Sequence, residues 1–320
     1  MIVLVLLNLS IYDAGVSVNQ QRHPIRVTLD AVIVAIIGGE PHLLTVSSGD
    51  SPTLPFGRLQ DQDRTLERAV RRWVTAQTGL QLGYVEQLYT FGDQQRGFER
   101  DRGGGRTLSV AYLALVTEQD LAPTATWDPW YRLLPWEDRR VADATHDGQD
   151  AAAALRTWAG DDPILDERIR ITFGLDGAPW DGVQVLERYE LLYEAGLVAE
   201  AGRDAQRPGQ GSGFGVSMGL DHRRIAATAL GRLRGKLTYR PVVFEMLAPE
   251  FTLGHLQRVV ESLAGTRLHT QNFRRLVEKG GLVEPTGQVD PHTGGRPAKL
   301  YRFRREVLAE RPSPGVGHPW

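Results

Sequence analysis

The feature that most constrains the fold is a run of β-branched and apolar residues at positions 27–37. Gly38 and Gly39 follow it directly, and a second apolar run occupies residues 43–46. This pattern predicts a strand, a tight turn and an antiparallel partner strand. A β-sheet therefore begins near the N-terminus.

The next segment has helical rather than strand periodicity. Over residues 65–80 the apolar positions fall on one face, Thr65 stands where a helix N-cap is expected, and Gly79 is suited to end the helix. Strands are predicted again over residues 85–91 and 107–116. The order of strands, helix and strands predicts a mixed α/β sandwich.

Composition limits the chemistry of the chain. With 320 residues, of which 41% are hydrophobic, it can bury two cores. The absence of cysteine excludes disulfides, thiolate catalysis and cysteine-ligated metals. Residues 221–305 carry 16 Lys and Arg against 7 Asp and Glu, a net charge of +9, whereas the whole chain has a net charge of −2. This asymmetry predicts a polyanionic partner for the C-terminal part.

Other segments give weaker indications. Residues 1–22 start with an apolar stretch without a basic flank, and we expect an edge strand or a loosely held extension rather than a signal peptide. No apolar run is long enough for a membrane span, so no membrane partner and a cytoplasmic location are expected. Residues 92–106 predict a polar flap, and residues 202–215 a flexible loop.

Residues 64–80 contain a degraded motif. Arg72, Val74, Gly79 and Leu80 fit the end of a Nudix hydrolase box, and the segment resembles such a box. The positions of its glutamates are occupied by other residues: Arg64, Trp73, Ala76 and Gln77. Divalent cations such as magnesium need oxygen ligands, which these side chains supply poorly. The resemblance thus implies a Nudix-like pocket without catalysis or a bound metal.

Two other interpretations of this segment stay open. The same residues are compatible with an ordinary amphipathic helix. An atypical Nudix hydrolase acting on a nucleoside diphosphate derivative can also be built if nearby acids, namely Asp61, Asp63 or Glu67, bind the metal instead.

The C-terminal part predicts a helix-turn-helix followed by a β-hairpin. A connecting helix starts near Asp221, with its arginines expected to face outward. Thr252 can cap the next helix, Gly265 ends it, and a second helix spans residues 270–279. A basic hairpin, the wing, follows up to residue 303.

The second helix and the wing offer residues suited to DNA. Arginine and glutamine form paired hydrogen bonds with base edges in the major groove, and lysine or arginine binds phosphates. The predicted DNA-binding residues are His269, Thr270, Gln271, Asn272, Arg274, Arg275, Arg296, Lys299 and Tyr301. The alternative is a structural adaptor that binds protein through the wing.

About two thirds of the chain resembles the Nudix-related transcriptional regulators of NAD metabolism, and its length resembles their alphaproteobacterial branch. The match includes residues 85–93, 108–116, 127–136, 272–275 and 295–303. The resemblance implies a homodimeric repressor of NAD biosynthesis or uptake genes, which binds double-stranded operator DNA. It also implies an ADP-ribose-like or NAD-related effector and no resident cofactor.

The resemblance places the nucleotide cleft near four residues, Gly57, Arg72, Phe91 and Asp93. An arginine there can neutralise a diphosphate without metal. The chain is accordingly divided into a Nudix-like sensing domain at 23–140, a variable middle segment at 141–220, helical with a flexible loop, and a DNA-binding winged-helix part at 221–308.

Overall fold

The computed structural model describes residues 25–48, 51–92, 107–140, 144–207, 213–291 and 297–317. The N-terminal extension and nearly all of the predicted flap lie outside these ranges. None of the helices in the described ranges is both long and apolar enough to cross a membrane.

The N-terminal domain is built on a seven-stranded mixed sheet. Its central strands are paired in parallel, and the neighbouring strands in the sheet are antiparallel. The predicted hairpin forms the first pair, with both turn glycines at positive φ. The strands are β1 (Arg26–Ile37), β2 (Glu40–Ser48), β3 (Ser51–Thr53), β4 (Phe56–Arg58), β5 (Tyr84–Phe91), β6 (Thr107–Leu115) and β7 (Ala125–Pro129).

The helix between β4 and β5 covers one face of this sheet. It is α1 (Leu66–Thr78), capped by the Thr65 hydroxyl and ended by Gly79 in the left-handed conformation, as the sequence predicts. Its Ala69, Val70 and Val74 pack on one sheet face and form a closed core with it. The predicted α/β sandwich is confirmed.

The middle segment is helical, and its helices pack on the opposite side of the sheet. After a short helix α2 (Trp130–Leu133), it contains α3 (Ala144–Ala159), α4 (Pro163–Thr172), α5 (Val185–Glu194) and α6 (Ala199–Asp204). The flexible loop predicted from residue 202 was placed too early, because α6 continues to Asp204. Residues 208–212 of that loop lie outside the described ranges.

The connecting helix lies in the middle of the core on the side of the sheet opposite α1. This helix, α7 (His222–Tyr239), is buried along most of its length, and the exposed positions on it are Arg232 and Tyr239. The expectation that its arginines face outward was wrong for two of them, since Arg223 and Arg234 are fully buried. Each is held by a glutamate from outside the helix, which removes the cost of an unpaired charge.

The winged helix domain follows α7 and confirms the predicted order of elements. It comprises β8 (Phe251–Thr252), α8 (Leu253–Ala264), α9 (Thr270–Lys279), β9 (Val283–Asp290), β10 (Ala298–Phe303) and α10 (Val307–Glu310). Strand β10 lies between β8 and β9 in a small antiparallel sheet. Phe244 stacks on Phe303 with ring centroids 4.3 Å apart, which anchors this sheet to the segment after α7.

Candidate functional site

The degraded box fastens β4 to α1. The indole nitrogen of Trp73 donates to the carbonyl of Arg58 at 2.9 Å, and its ring lies so close to Gly57 that a Cβ there would overlap it. The Gln77 amide pairs with both backbone groups of Phe56, accepting at 3.0 Å and donating at 2.7 Å. Two positions that would hold glutamates in a complete box therefore carry side chains that serve as structural ties.

The charged residues around the box are paired with one another. Arg72 donates to both carboxylate oxygens of Asp63, at 3.1 and 2.8 Å. These hydrogen bonds hold the pKa of the Asp63 carboxyl below its usual range. Glu67 in turn accepts from Arg71 at 2.8 Å, one turn along α1. Two of the acids proposed for an atypical hydrolase are thus occupied by arginines. In the described ranges no group of acids and histidines is close enough to hold a metal ion.

A cavity of about 350 Å³ opens beside this part of the fold. Two aromatic rings, two amides and one guanidinium contribute to its wall, which is formed by Thr28, Phe56, Gly57, Arg58, Gln60, Trp73 and Gln77. Gly57 therefore lines the cavity, and Arg72 lies on the helix turn beside it. Phe91 is 6% exposed in the core on the other face of the sheet, and Asp93 lies outside the described ranges.

The helix-turn-helix has the expected polarity. Phe273 and Val277 of α9 are buried, while Gln271, Arg274 and Arg275 are exposed. His269 and Thr270 are also exposed at the start of the helix. Arg275 donates to the side-chain oxygen of Asn272 at 2.8 Å, so these two side chains are aligned along one edge of the helix.

The turn between α8 and α9 is held by two buried side chains of α8. Glu261 accepts from the backbone amide of Leu268 at 2.9 Å. Gln257 donates to the Leu268 carbonyl at 3.1 Å and to the Thr270 hydroxyl at 3.2 Å. Because both ends of the turn are bonded to α8, α9 keeps a fixed orientation relative to it.

A large cleft of about 860 Å³ lies between α8, α9 and the wing. Lys299 lines it from the wing and Arg274 from α9, and DNA binding by these two residues stays a prediction. Tyr301 also lines it, but this side chain is half-buried and packs against the domain core. Arg296 lies outside the described ranges.

Two cleft residues were missed from the sequence, His255 and Arg258 in the first turns of α8. Burial and then the neighbouring Arg258 charge lower the pKa of His255 below its usual range. Both residues are polar positions on an amphipathic helix, which is indistinguishable from a solvated face without the fold. Arg258 adds a positive charge beside Lys299 and Arg274, whereas the lowered pKa favours the neutral form of His255.

Two solved structures of known proteins have a fold similar to that of this chain. The structure of Shewanella oneidensis NrtR in complex with a 27mer DNA has the same fold, with a TM-score of 0.56, 21% identity, and coverage of 88% of this chain and 95% of that one. The MutT/nudix family protein from Enterococcus faecalis matches with a TM-score of 0.52, 16% identity, and coverage of 88% and 87%. The fold therefore joins a Nudix-like domain to a winged helix domain.

The family of the C-terminal domain follows from the sequence comparisons. Residues 243–303 match the NrtR DNA-binding winged helix domain. The ADPR responsive transcriptional repressor NtrR of Acinetobacter baylyi is 36% identical over 88 residues, which cover 28% of this chain and 35% of that repressor. The aligned part thus spans about a third of this curated relative. The C-terminal domain is an NrtR-type winged helix, and the chain as a whole has the NrtR fold.

Proposed function

We propose that this chain is a transcriptional repressor that binds operator DNA through α9 and the wing, and that its Nudix-like domain senses a nucleotide. The observation that carries the proposal is the NrtR-type winged helix at residues 243–303, joined to a Nudix-like fold. The relative from Acinetobacter baylyi, named as ADPR responsive, supports ADP-ribose or an NAD-related nucleotide as the effector. NAD biosynthesis or uptake genes are then the targets, as in the alphaproteobacterial branch of these regulators.

Operator recognition is divided between two groups of side chains. Gln271, Arg274 and Arg275 are exposed on α9 and are suited to base edges, with His269, Thr270 and Asn272 at the same helix end. Lys299, together with Arg296, supplies contacts to phosphates from the wing. Tyr301 contributes by packing the wing against the domain, since it is half-buried there.

The effector site lies at the cavity beside the degraded box. Trp73 and Phe56 offer aromatic faces to a planar base, and Gly57 lets the indole approach the strand. Arg72 can bind a diphosphate by exchanging its partner Asp63 for it, and such an exchange provides a way to alter the domain on binding. Phe91, buried on the opposite face of the sheet, does not line this cavity, and Asp93 stays a predicted ligand-binding residue.

The domain does not hydrolyse its ligand and requires no cofactor. Trp73 and Gln77 are tied to β4, and Asp63 and Glu67 are paired with arginines, which leaves poor ligands for magnesium. Incubation with ADP-ribose and magnesium, followed by chromatography, tests this directly. Release of AMP at a typical enzymatic rate would instead support the atypical hydrolase.

Footprinting of DNA bound in the source cell tests the proposed function as a whole. Protected sites upstream of NAD biosynthesis or uptake genes are expected, whereas an absence of salt-sensitive DNA binding would favour the adaptor that binds protein. We also propose that the protein is a homodimer in the cytoplasm. Light scattering measures the molar mass and so tests the dimer. Because α7 is enclosed by its own chain, the dimer contact must use another surface. Limited proteolysis tests the division at residues 140 and 220.

A further inference from the structure

The last turn of α8 is attached to the Nudix-like domain by direct hydrogen bonds. Tyr131 lies just after β7, and its hydroxyl donates to the Ser262 carbonyl at 2.6 Å. The backbone amide of Arg139 donates to the Gly265 carbonyl at 2.7 Å. Carbonyl groups at a helix C-terminus have no partner within the helix, so these donors satisfy groups that would otherwise be unpaired.

A buried arginine strengthens the same attachment. The Arg234 guanidinium donates to the Leu263 carbonyl at 3.1 Å, to a Glu137 carboxylate oxygen at 2.5 Å and to the Gly182 carbonyl at 3.0 Å. It therefore connects the helix-turn-helix with the end of the Nudix-like domain and with the middle segment. A positive charge at this position is also favoured by the dipole of α8.

The fit at this contact leaves no space. Gly265 has a φ of +69°, and a Cβ added there would overlap the Glu137 carbonyl and the Arg234 guanidinium. The Tyr131 hydroxyl would be 3.1 Å from that atom. The end of α8 thus lies directly on the Nudix-like domain, without an intervening layer of side chains.

The same contact is connected to α9 by hydrogen bonds. Glu261 and Gln257 of α8 form hydrogen bonds with the turn that leads into α9, so the orientation of α9 is tied to that of α8. On the other side, Tyr131 follows β7, which is paired with β2 of the sensing sheet. Hydrogen bonds and the chain itself therefore connect the sheet with α9 through Tyr131 and α8.

We propose that Tyr131 and Arg234 are positioning residues that set the orientation of α9 according to the state of the Nudix-like domain. The inference rests on the proposed function, because it needs an effector and an operator to couple. Coupling is the factor by which the effector changes operator affinity. A hydroxyl that bonds α8 in one orientation and not in the other contributes to that factor, whereas one that bonds it equally in both does not.

The test is Tyr131→Phe, which removes the hydroxyl and keeps the ring. Operator affinity is measured on a footprinted promoter duplex by fluorescence anisotropy, without and with saturating ADP-ribose. A net hydrogen bond of ordinary strength predicts that the coupling factor moves toward one by roughly threefold to tenfold. The affinity for ADP-ribose alone, measured by calorimetry, should change little. Tyr89→Phe, at an exposed position of β5, is the matched control and should leave the factor unchanged.

A second variant, at another residue of the same contact, tests the inference independently of Tyr131→Phe. Gly265→Ala forces α8 away from Glu137, and Gly177→Ala, at a φ of +84° with open space around it, controls for backbone strain. The coupling factor should move toward one in Gly265→Ala and stay the same in Gly177→Ala. If Tyr131→Phe weakens operator binding equally with and without ADP-ribose, the residue is merely structural and the inference is overturned. If the wild-type chain itself binds no duplex, the proposed function fails and the inference with it.

Discussion

Replacing Glu137 tests how much the buried ion pairs between the domains contribute to stability. Its carboxylate is fully buried and accepts from Arg188 at 2.6 and 3.0 Å and from Arg234 at 2.5 Å. In Glu137→Gln the volume is kept, but one acceptor oxygen becomes an NH₂ group that faces guanidinium donors. Two buried guanidiniums are then left without a counter-charge, and breaking such a pair costs about 3–5 kcal/mol.

The assay is urea unfolding of both proteins, followed by the free energy of unfolding extrapolated to water. Glu167→Gln is the control, because Glu167 forms an exposed pair with Arg170, and its removal should leave that free energy unchanged within error. A loss below about 1 kcal/mol in Glu137→Gln would contradict the reasoning, since it would mean that the arginines do not depend on this carboxylate.

The pH dependence provides an independent check on the same residue. Burial raises the pKa of Glu137, but the Arg188 and Arg234 charges and their hydrogen bonds outweigh it, so the pKa lies below the usual 4.5. A carboxyl with a lowered folded-state pKa contributes its stability fully above the unfolded value and loses it as the pH falls through the folded value. The difference between wild type and Glu137→Gln should therefore narrow below about pH 4.5.

The other predictions concern the DNA surface. Arg275→Ala should relax base preference at one operator position, at a cost of roughly 1–3 kcal/mol. Competition anisotropy over a series of duplexes measures this preference, and unaltered specificity would mean that Arg275 does not read a base. Lys299→Ala should weaken the binding of all sequences alike and lower the slope of affinity against salt by about one, which salt titrations measure. Because the pKa of His255 is lowered in the free protein and a nearby phosphate favours the charged imidazolium, operator binding should take up a proton. Wild-type affinity should then rise more steeply than that of His255→Asn as the pH falls from about 7.5 to about 5.5, and parallel pH profiles would place His255 away from the phosphates.

The parts of the fold that the sequence predicted correctly are those with a clear periodicity of apolar residues. The β1–β2 hairpin, α1 with Thr65 and Gly79 at its ends, and the helix-turn-helix with Phe273 inward were all predicted and are confirmed. Each depends on local chemistry: turn glycines, capping hydroxyls and apolar spacing. Such features are set by neighbours in the sequence, so the sequence alone reveals them.

The buried charges could not be predicted in the same way. Arg223 and Arg234 stand among apolar residues of α7 at positions that an exposed basic face would also occupy. Their partners, Glu200 and Glu137, are 23 and 97 residues away in the chain. Part of the positive charge that the sequence assigns to a polyanion is therefore used inside the protein, to bind the acidic N-terminal part to α7.

The same distinction, between local features and contacts of distant segments, applies to the candidate sites. The exposed side of α9 follows from helical spacing once Phe273 and Val277 are known to face inward. The cavity by the box does not follow from sequence, because the Trp73 to Arg58 and Gln77 to Phe56 hydrogen bonds join segments 15 and 21 residues apart. Phe91 shows the reverse error, since an aromatic residue beside a predicted cleft was instead taken into the core.

We propose that a nucleotide held without hydrolysis changes the affinity of this chain for operator DNA. One titration tests it: a footprinted promoter duplex is bound by the purified chain at low salt, ADP-ribose and magnesium are added, and the nucleotide is recovered at the end. We expect salt-sensitive binding, a shift in affinity with ADP-ribose, and intact ADP-ribose. Recovery of AMP, with no binding of the duplex at any salt concentration, would contradict it.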